Sequence, residues 1–314
     1  MSANATVATA AVMAARDGER AHRIRVVILY VLAISLIIGL AVYGFDYYTL
    51  GTADRPFSPK HAQLRPSGTI GVKLGMLGFL VFLAIFLYPL RKAWPWLGRQ
   101  GSARHWLDIH VLLGLSAPFI IAFHSAFKFR GFAGMAFWIM VAVSLSGVIG
   151  RYLYSQIPRR VNAAELSMKE LQELQSALAE QLAGQRLIPQ SDIRALLRLP
   201  SQERVDRMFV IFALIYMMLL DVARAFGIAK LRRHALGLGE TITTLGGFLR
   251  TRNHRLEEAI GMAKEEAATA KRVLFLKRSQ QVFHFWHVVH KPFSYTFALL
   301  ALIHVVVVMM MGFY

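Results

Sequence analysis

Five stretches of this chain are apolar, nearly free of charge and about as long as a helix must be to cross about 30 Å of hydrocarbon. They cover residues 26–45, 70–90, 107–127, 132–154 and 282–314, the last strongest over 293–311. A segment inside a bilayer must satisfy its own backbone hydrogen bonds, so long runs of this kind become helices. The fold class expected is all-α: an integral membrane helical bundle of about five spans with a helical cytoplasmic insertion. Of the 314 residues, 56% are hydrophobic and only 17% are charged, against about 25% charged in soluble domains. That balance excludes a disordered chain and speaks against a purely soluble one.

Flanking charge orients the bundle. Arg16, Arg20, Arg23 and Arg25 precede the first run, and Arg91-Lys92 and Arg159-Arg160 follow the second and fourth. The first run is too long for a signal-peptide core, and it closes on Tyr43, Phe45, Tyr47 and Tyr48, an interfacial aromatic belt. A sixth run, 208–220, is short and bounded by Asp206, Arg207, Asp221 and Arg224. Its length fits an interfacial, re-entrant or buried helix better than a span. Residues 155–281 carry 20 Lys and Arg. If 208–220 crossed, the basic stretch after it would lie outside, against the positive-inside rule.

The organisation expected is a disordered cytoplasmic tail over 1–25 and a four-span membrane bundle over 26–155. A cytoplasmic helical insertion follows over 156–281, touching the membrane at 208–220, and the last span covers 282–314. The N-terminus then lies in the cytoplasm and the C-terminus on the outer face of the plasma (inner) membrane. Within the insertion, Ser167 and Glu170 form a capping box. Leu171, Leu174, Leu178 and Leu182 form an apolar stripe, Pro189 and Pro200 punctuate, and 253–277 reads as another helix. The charges of this insertion are a solvated face or a docking platform for a partner subunit.

Histidine carries the chemistry. The chain has no cysteine, which removes disulfides, thiolate zinc, cysteine-ligated clusters and covalent c-type haem. Intramembrane ionisable residues are costly and usually functional. His110 and His124 lie in the third span, 14 residues apart, and His290 and His304 lie in the last, also 14 apart. Fourteen residues is just under four turns, so each pair projects from one helix face with a rise of about 21 Å. Two helices, each with one His near either membrane face, suit two b-type haems stacked between them, since neutral imidazoles ligate haem iron. These four His are the expected metal (haem iron) ligands. Gly114 and Ala117, and Ser294, Ala298 and Ala301, leave room for a macrocycle.

With the two helices parallel, His110 pairs with His290 and His124 with His304. If 208–220 crosses, the helices become antiparallel and the pairing swaps to His110 with His304 and His124 with His290. His287 is a competing ligand or a quinone contact. His22, His61, His105, His234 and His254 read as surface residues. Haem propionates want charge-assisted donors, for which Arg104, Arg151 and Lys291 at the inner ends and Lys128 and Arg130 at the outer end are candidates. Met309, Met310 and Met311 read as packing residues. No GxGxxG in a strand–turn–helix context, Walker loop or hydrolase triad is present.

These motifs, His110 in Asp108-Ile-His110 through Phe123-His124-Ser125, and Trp286-His287-Val-Val-His290-Lys-Pro292 through His304, resemble those of the dihaem transmembrane cytochromes b. The resemblance is to the broad ferric-reductase-like and cytochrome b561-like group, and it covers under a third of the chain. It implies electron passage across a membrane between a quinone or cytoplasmic donor and an acceptor on the other side. The chain departs from flavocytochrome reductases in ending at the last span, without a flavin/NAD(P)H domain, and in its long insertion. Both departures point to a subunit of a larger respiratory-chain oxidoreductase. Its redox partners would be a cytoplasmic iron–sulfur or flavin protein, or an outer-face cytochrome. The alternatives are a stand-alone transmembrane reductase of a metal or small acceptor, and a haem-free transporter using the His as a relay. The net charge of +18 flanks spans rather than forming an aromatic-interleaved patch, so no nucleic-acid role is expected.

Overall fold

The computed structural model describes residues 2–157, 172–173, 176–177, 180, 195–236, 241 and 243–312. Among them every regular element is helical. Six long helices order the chain: α1 (Ser2–Tyr43), α2 (Thr69–Ala93), α3 (Ala103–His124), α4 (Gly131–Gln156), α5 (Val210–Ala235) and α6 (His254–Met310). All six are long and apolar enough to cross a membrane. The protein is thus a helical membrane bundle, with one more candidate span than the sequence runs suggest.

Three elements differ from the sequence reading. Helix α1 continues back to Ser2 where a disordered tail is expected; Ala, the strongest helix former, recurs through that stretch. The run at 208–220 does not stop at Asp221 but continues as the 26-residue α5, because Lys271 takes both oxygens of the Asp221 carboxylate at 2.6 and 2.5 Å. The helix expected over 253–277 and the last span are joined in the 57-residue α6. Asn253 starts it, its side-chain oxygen accepting from the Leu256 N–H at 3.2 Å. The capping box at Ser167 and Glu170, the Leu171–Leu182 stripe and Pro189 lie outside the described residues.

The chain divides into two compact units. The first combines Met1–Ile149 with Val289–Tyr314. Its core is built by Leu74 and Val81 of α2, Ala117, Ile120 and Phe123 of α3, and Phe137 and Met140 of α4, with Phe297 of α6 packed against them. The second unit, Gly150–Val288, covers the insertion read from sequence. Leu196, Leu231, Leu256, Ile260 and Ala263 form one of its cores, and Val205, Met217 and Phe275 another. Arg232 grips Glu257 through two hydrogen bonds of 2.8 Å and reaches the carbonyls of Gly247 and Phe248.

Proline sets the shape of the first unit. Each interior proline lacks the N–H that would bond the carbonyl four residues earlier. In lipid no water takes that place, so another protein donor must. Pro118 lies inside α3 and frees the Gly114 carbonyl, and the Ser144 hydroxyl of α4 donates to it at 2.6 Å. The bond also fixes the register of α3 against α4.

The α1–α2 connection is pinned by Arg55, which is 6% exposed. Its guanidinium donates to the carbonyls of Tyr48, Leu50 and Ala126. Ala126 and Phe127 follow α3 with φ of +47° and +59°, a left-handed turn that non-glycine residues adopt at a cost. Burial in the same layer pushes the Tyr48 phenol up to about 12, so it stays neutral.

Ser144→Ala is expected to destabilise the bundle by about 0.6 to 1.7 kcal/mol, the range of intramembrane hydrogen bonds, with Ser144→Thr close to wild type. Reversible unfolding of the detergent-solubilised protein checks this. Equal stability of Ser144→Ala and wild type would show that the Gly114 carbonyl needs no donor.

Candidate intramembrane histidine site

The first unit brings all four sequence-selected histidines, His110, His124, His290 and His304, into one bundle. Three of them are oriented through Nδ1. The Nδ1 of His110 contacts the Ile85 carbonyl of α2 at 3.0 Å. That carbonyl is available for a physical reason: Pro89, inside α2, supplies no N–H to it. The Tyr88 ring leans on the same imidazole at a centroid distance of 5.0 Å.

His124 contacts the Gly71 carbonyl of α2 through Nδ1 at 2.8 Å. Its ring lies against Gly75, where a Cβ would stand 2.8 Å from Cε1 and 2.9 Å from Nδ1. Here glycine is required by close approach rather than by backbone angle. His290 contacts the Ser146 hydroxyl through Nδ1 at 2.7 Å. That hydroxyl also donates to the Val143 carbonyl at 2.8 Å, so it accepts from the imidazole.

A ring whose Nδ1–H is donated to a carbonyl or hydroxyl is the tautomer that carries its lone pair on Nε2. That is the arrangement found behind metal-ligating histidines, where a second partner fixes ring orientation and raises basicity. The residues present therefore fit bis-imidazole ligation of haem. In front of Gly114 an added Cβ meets no atom within 4 Å, so space remains on that face of α3. Among the described residues, no three or more His, Asp or Glu converge as a metal cage; a haem takes only two axial side chains.

The contacts also give direction. Gly114 of α3 and His290 of α6 touch neighbouring residues of α4, Ser144 and Ser146. Phe297 packs on Phe82 of α2, which lies between Ile85 and Gly71, the α2 residues whose carbonyls meet His110 and His124. The end of α6 therefore runs alongside α3 in the same sense. His110 and His290 share one level, and His124 and His304 the other.

Other candidates are placed differently. Arg104 pairs with Glu19 of α1 at 3.0 Å. Lys128 and Arg130 are exposed just beyond α3, close in sequence to His124. Arg151 and His287 belong to the second unit, and His287 packs on Phe283 and Trp286. Two histidines read as surface residues are not. His22 is 7% exposed, stacks on His105 at 3.6 Å and meets Asp108 at 3.2 Å. His61 contacts the buried Tyr47 hydroxyl at 3.2 Å. Both are drawn in by long-range partners that no local pattern announces.

Sequence reasoning missed Pro89, Gly75, Gly71 and Ser146. The legible signal was the proline, since an interior proline in a span implies a carbonyl seeking a donor. No protein-family pattern, curated protein or solved structure matches the chain.

Gly75→Ala is expected to displace the His124 ring and cost about 1 to 3 kcal/mol by overpacking, whereas Gly114→Ala, which meets nothing, is expected to leave stability within about 0.5 kcal/mol. Parallel unfolding curves measure the contrast, and equal effects would contradict the packing described.

Proposed function

We propose that this protein is a dihaem b-type membrane cytochrome that carries electrons across a bilayer. The observation behind this reading is the set of four histidines, paired by level on two parallel helices, three of them with Nδ1 committed to an oxygen. Two b-type haems held there supply reversible one-electron transfer between the two faces of the membrane.

The chain's own residues do three things for such a cofactor. His110 with His290, and His124 with His304, offer Nε2 lone pairs from opposite sides. The Ile85 and Gly71 carbonyls and the Ser146 hydroxyl hold those rings in one tautomer and one orientation, which limits reorganisation when charge changes. The apolar residues around them, among them Ile120, Phe123 and Phe137, exclude water. Lys128 and Arg130 at one end, and Arg104 and Lys291 near the other, are the propionate donors in this reading, with Arg104 shared with Glu19.

Parallel α3 and α6 also bear on the topology. Two spans that run in the same sense need an odd number of crossings between them, and α4 supplies one. A crossing α5 would need a return through 254–281, which holds Glu257, Glu258, Lys264, Glu265, Lys271, Arg272, Lys277 and Arg278. Such a segment is too costly for hydrocarbon. In this reading α5 lies at the inner interface, the N-terminus is cytoplasmic and the C-terminus is outside. The wider role follows as part of the same proposal: a subunit linking the quinone pool to a partner redox protein.

The decisive measurement is a reduced-minus-oxidised visible spectrum with a pyridine haemochrome count. About two b-type haems per chain are expected. His110→Ala and His290→Ala should each remove the same haem, and the double variant no more than either. His124→Ala and His304→Ala should remove the other. A well-folded protein without haem would overturn the proposal, and loss patterns pairing His110 with His304 would overturn the pairing.

A further inference from the structure

The second unit holds a cluster of charge that the haem reading does not use. Lys271, 2% exposed at its side chain, meets Asp221 at 2.5 Å. The Tyr152 hydroxyl donates to the same carboxylate at 2.7 Å. Arg224 stands 3.9 Å from Asp221, beyond hydrogen-bond reach, and its two terminal nitrogens are buried with no hydrogen-bond acceptor among the described residues. Two cations thus share one carboxylate whose oxygens are already taken. A buried guanidinium without acceptors is expensive, so the cluster is short of one anion.

Beside it lies a cavity of about 160 Å³, lined by Arg224 together with Arg198, Lys230 and the apolar Leu196, Leu220 and Leu231. Among the described residues, no acidic side chain lines it. Three basic side chains, with Asp221 3.9 Å from Arg224 and its oxygens already bonded to Lys271 and Tyr152, form the surroundings a phosphate requires, and arginine matches phosphate oxygens in a bidentate fork. The cavity is below the roughly 300 to 1,000 Å³ of pockets that enclose a whole small molecule, so it accepts a phosphate group rather than a nucleotide. The rest of the ligand must lie outside. There α5 exposes Phe212, Ile215, Leu219, Val222 and Phe226, an apolar stripe at 3- and 4-residue spacing beside the Leu220–Arg224–Leu231 face.

We propose that this cavity binds the headgroup phosphate of an anionic phospholipid, its acyl chains lying along the apolar stripe of α5. The site draws on residues of the second unit alone and does not rest on the haem assignment. Basic pockets beside membrane helices commonly hold acidic lipid headgroups, each cation near the surface contributing about a fivefold gain in binding.

The test uses the full chain purified in neutral detergent, with native mass spectrometry to count retained lipid and thermal unfolding as a second readout. One phosphatidylglycerol per chain is expected, held in preference to phosphatidylcholine. Removing Arg198 and Lys230 together (R198Q/K230Q) should weaken that retention by about 25-fold; both are exposed and should leave folding intact. Arg224→Gln should weaken it further if it folds, while Lys264→Gln, an exposed change away from the cavity, should not. Equal retention of the two lipids, or unchanged retention in R198Q/K230Q, would overturn the proposal. So would inorganic phosphate raising the unfolding temperature as much as phosphatidylglycerol does, since the site would then serve a free anion. Lipid count is read independently of haem absorbance, so failure here and failure of the cytochrome reading are separable.

Discussion

The architecture of the first unit depends on one constraint: inside a bilayer no main-chain polar group can be left to water. Pro118 and Pro89 each break that rule locally, and the repair is tertiary. Pro118 leaves the Gly114 carbonyl to Ser144, and Pro89 leaves the Ile85 carbonyl to His110. The first repair sets the register of α3 and α4. The second orients a candidate ligand. A defect in one helix has become the positioning device for a side chain on another, so packing and site share the same hydrogen bonds.

The other histidines are held by related means. His124 reaches the α2 backbone because Gly75 carries no side chain, and His290 rests on a serine hydroxyl whose own proton is committed to Val143. None of these partners is charged. A carbonyl or hydroxyl fixes the tautomer of the ring it meets without placing a charge beside it. In the proposed cytochrome the same arrangement would present each Nε2 lone pair in one fixed orientation.

The two units use charge in opposite ways. The first keeps charge at its ends, in pairs such as Arg104 with Glu19 and Lys60 with Asp46. The second buries it. Arg232 with Glu257 is a balanced bidentate pair, but Lys271, Arg224 and Asp221 leave a positive excess. A buried pair that balances adds specificity at little net gain; an unbalanced one asks for a ligand. This contrast locates the unassigned chemistry in the insertion rather than in the histidine bundle.

The sequence by itself determined the helical membrane class, helices α2, α3 and α4 to within a few residues, and the four histidines with their equal spacing. These are local properties, readable from apolar run length and from 3.6-residue periodicity. It could not decide how far α5 continues, since that depends on Lys271 fifty residues away. Nor could it decide that His22 is buried, or which histidine faces which, because equal spacing permits either pairing. The contacts that bear on them are non-local: Lys271 on Asp221, Asp108 and His105 on His22, and, for the direction of α6, Ser144 and Ser146 on α4 and Phe82 against Phe297. A spacing repeats along one helix, but direction and partnership exist only between helices, where packing and the satisfaction of buried polar groups choose among alternatives the chain leaves open.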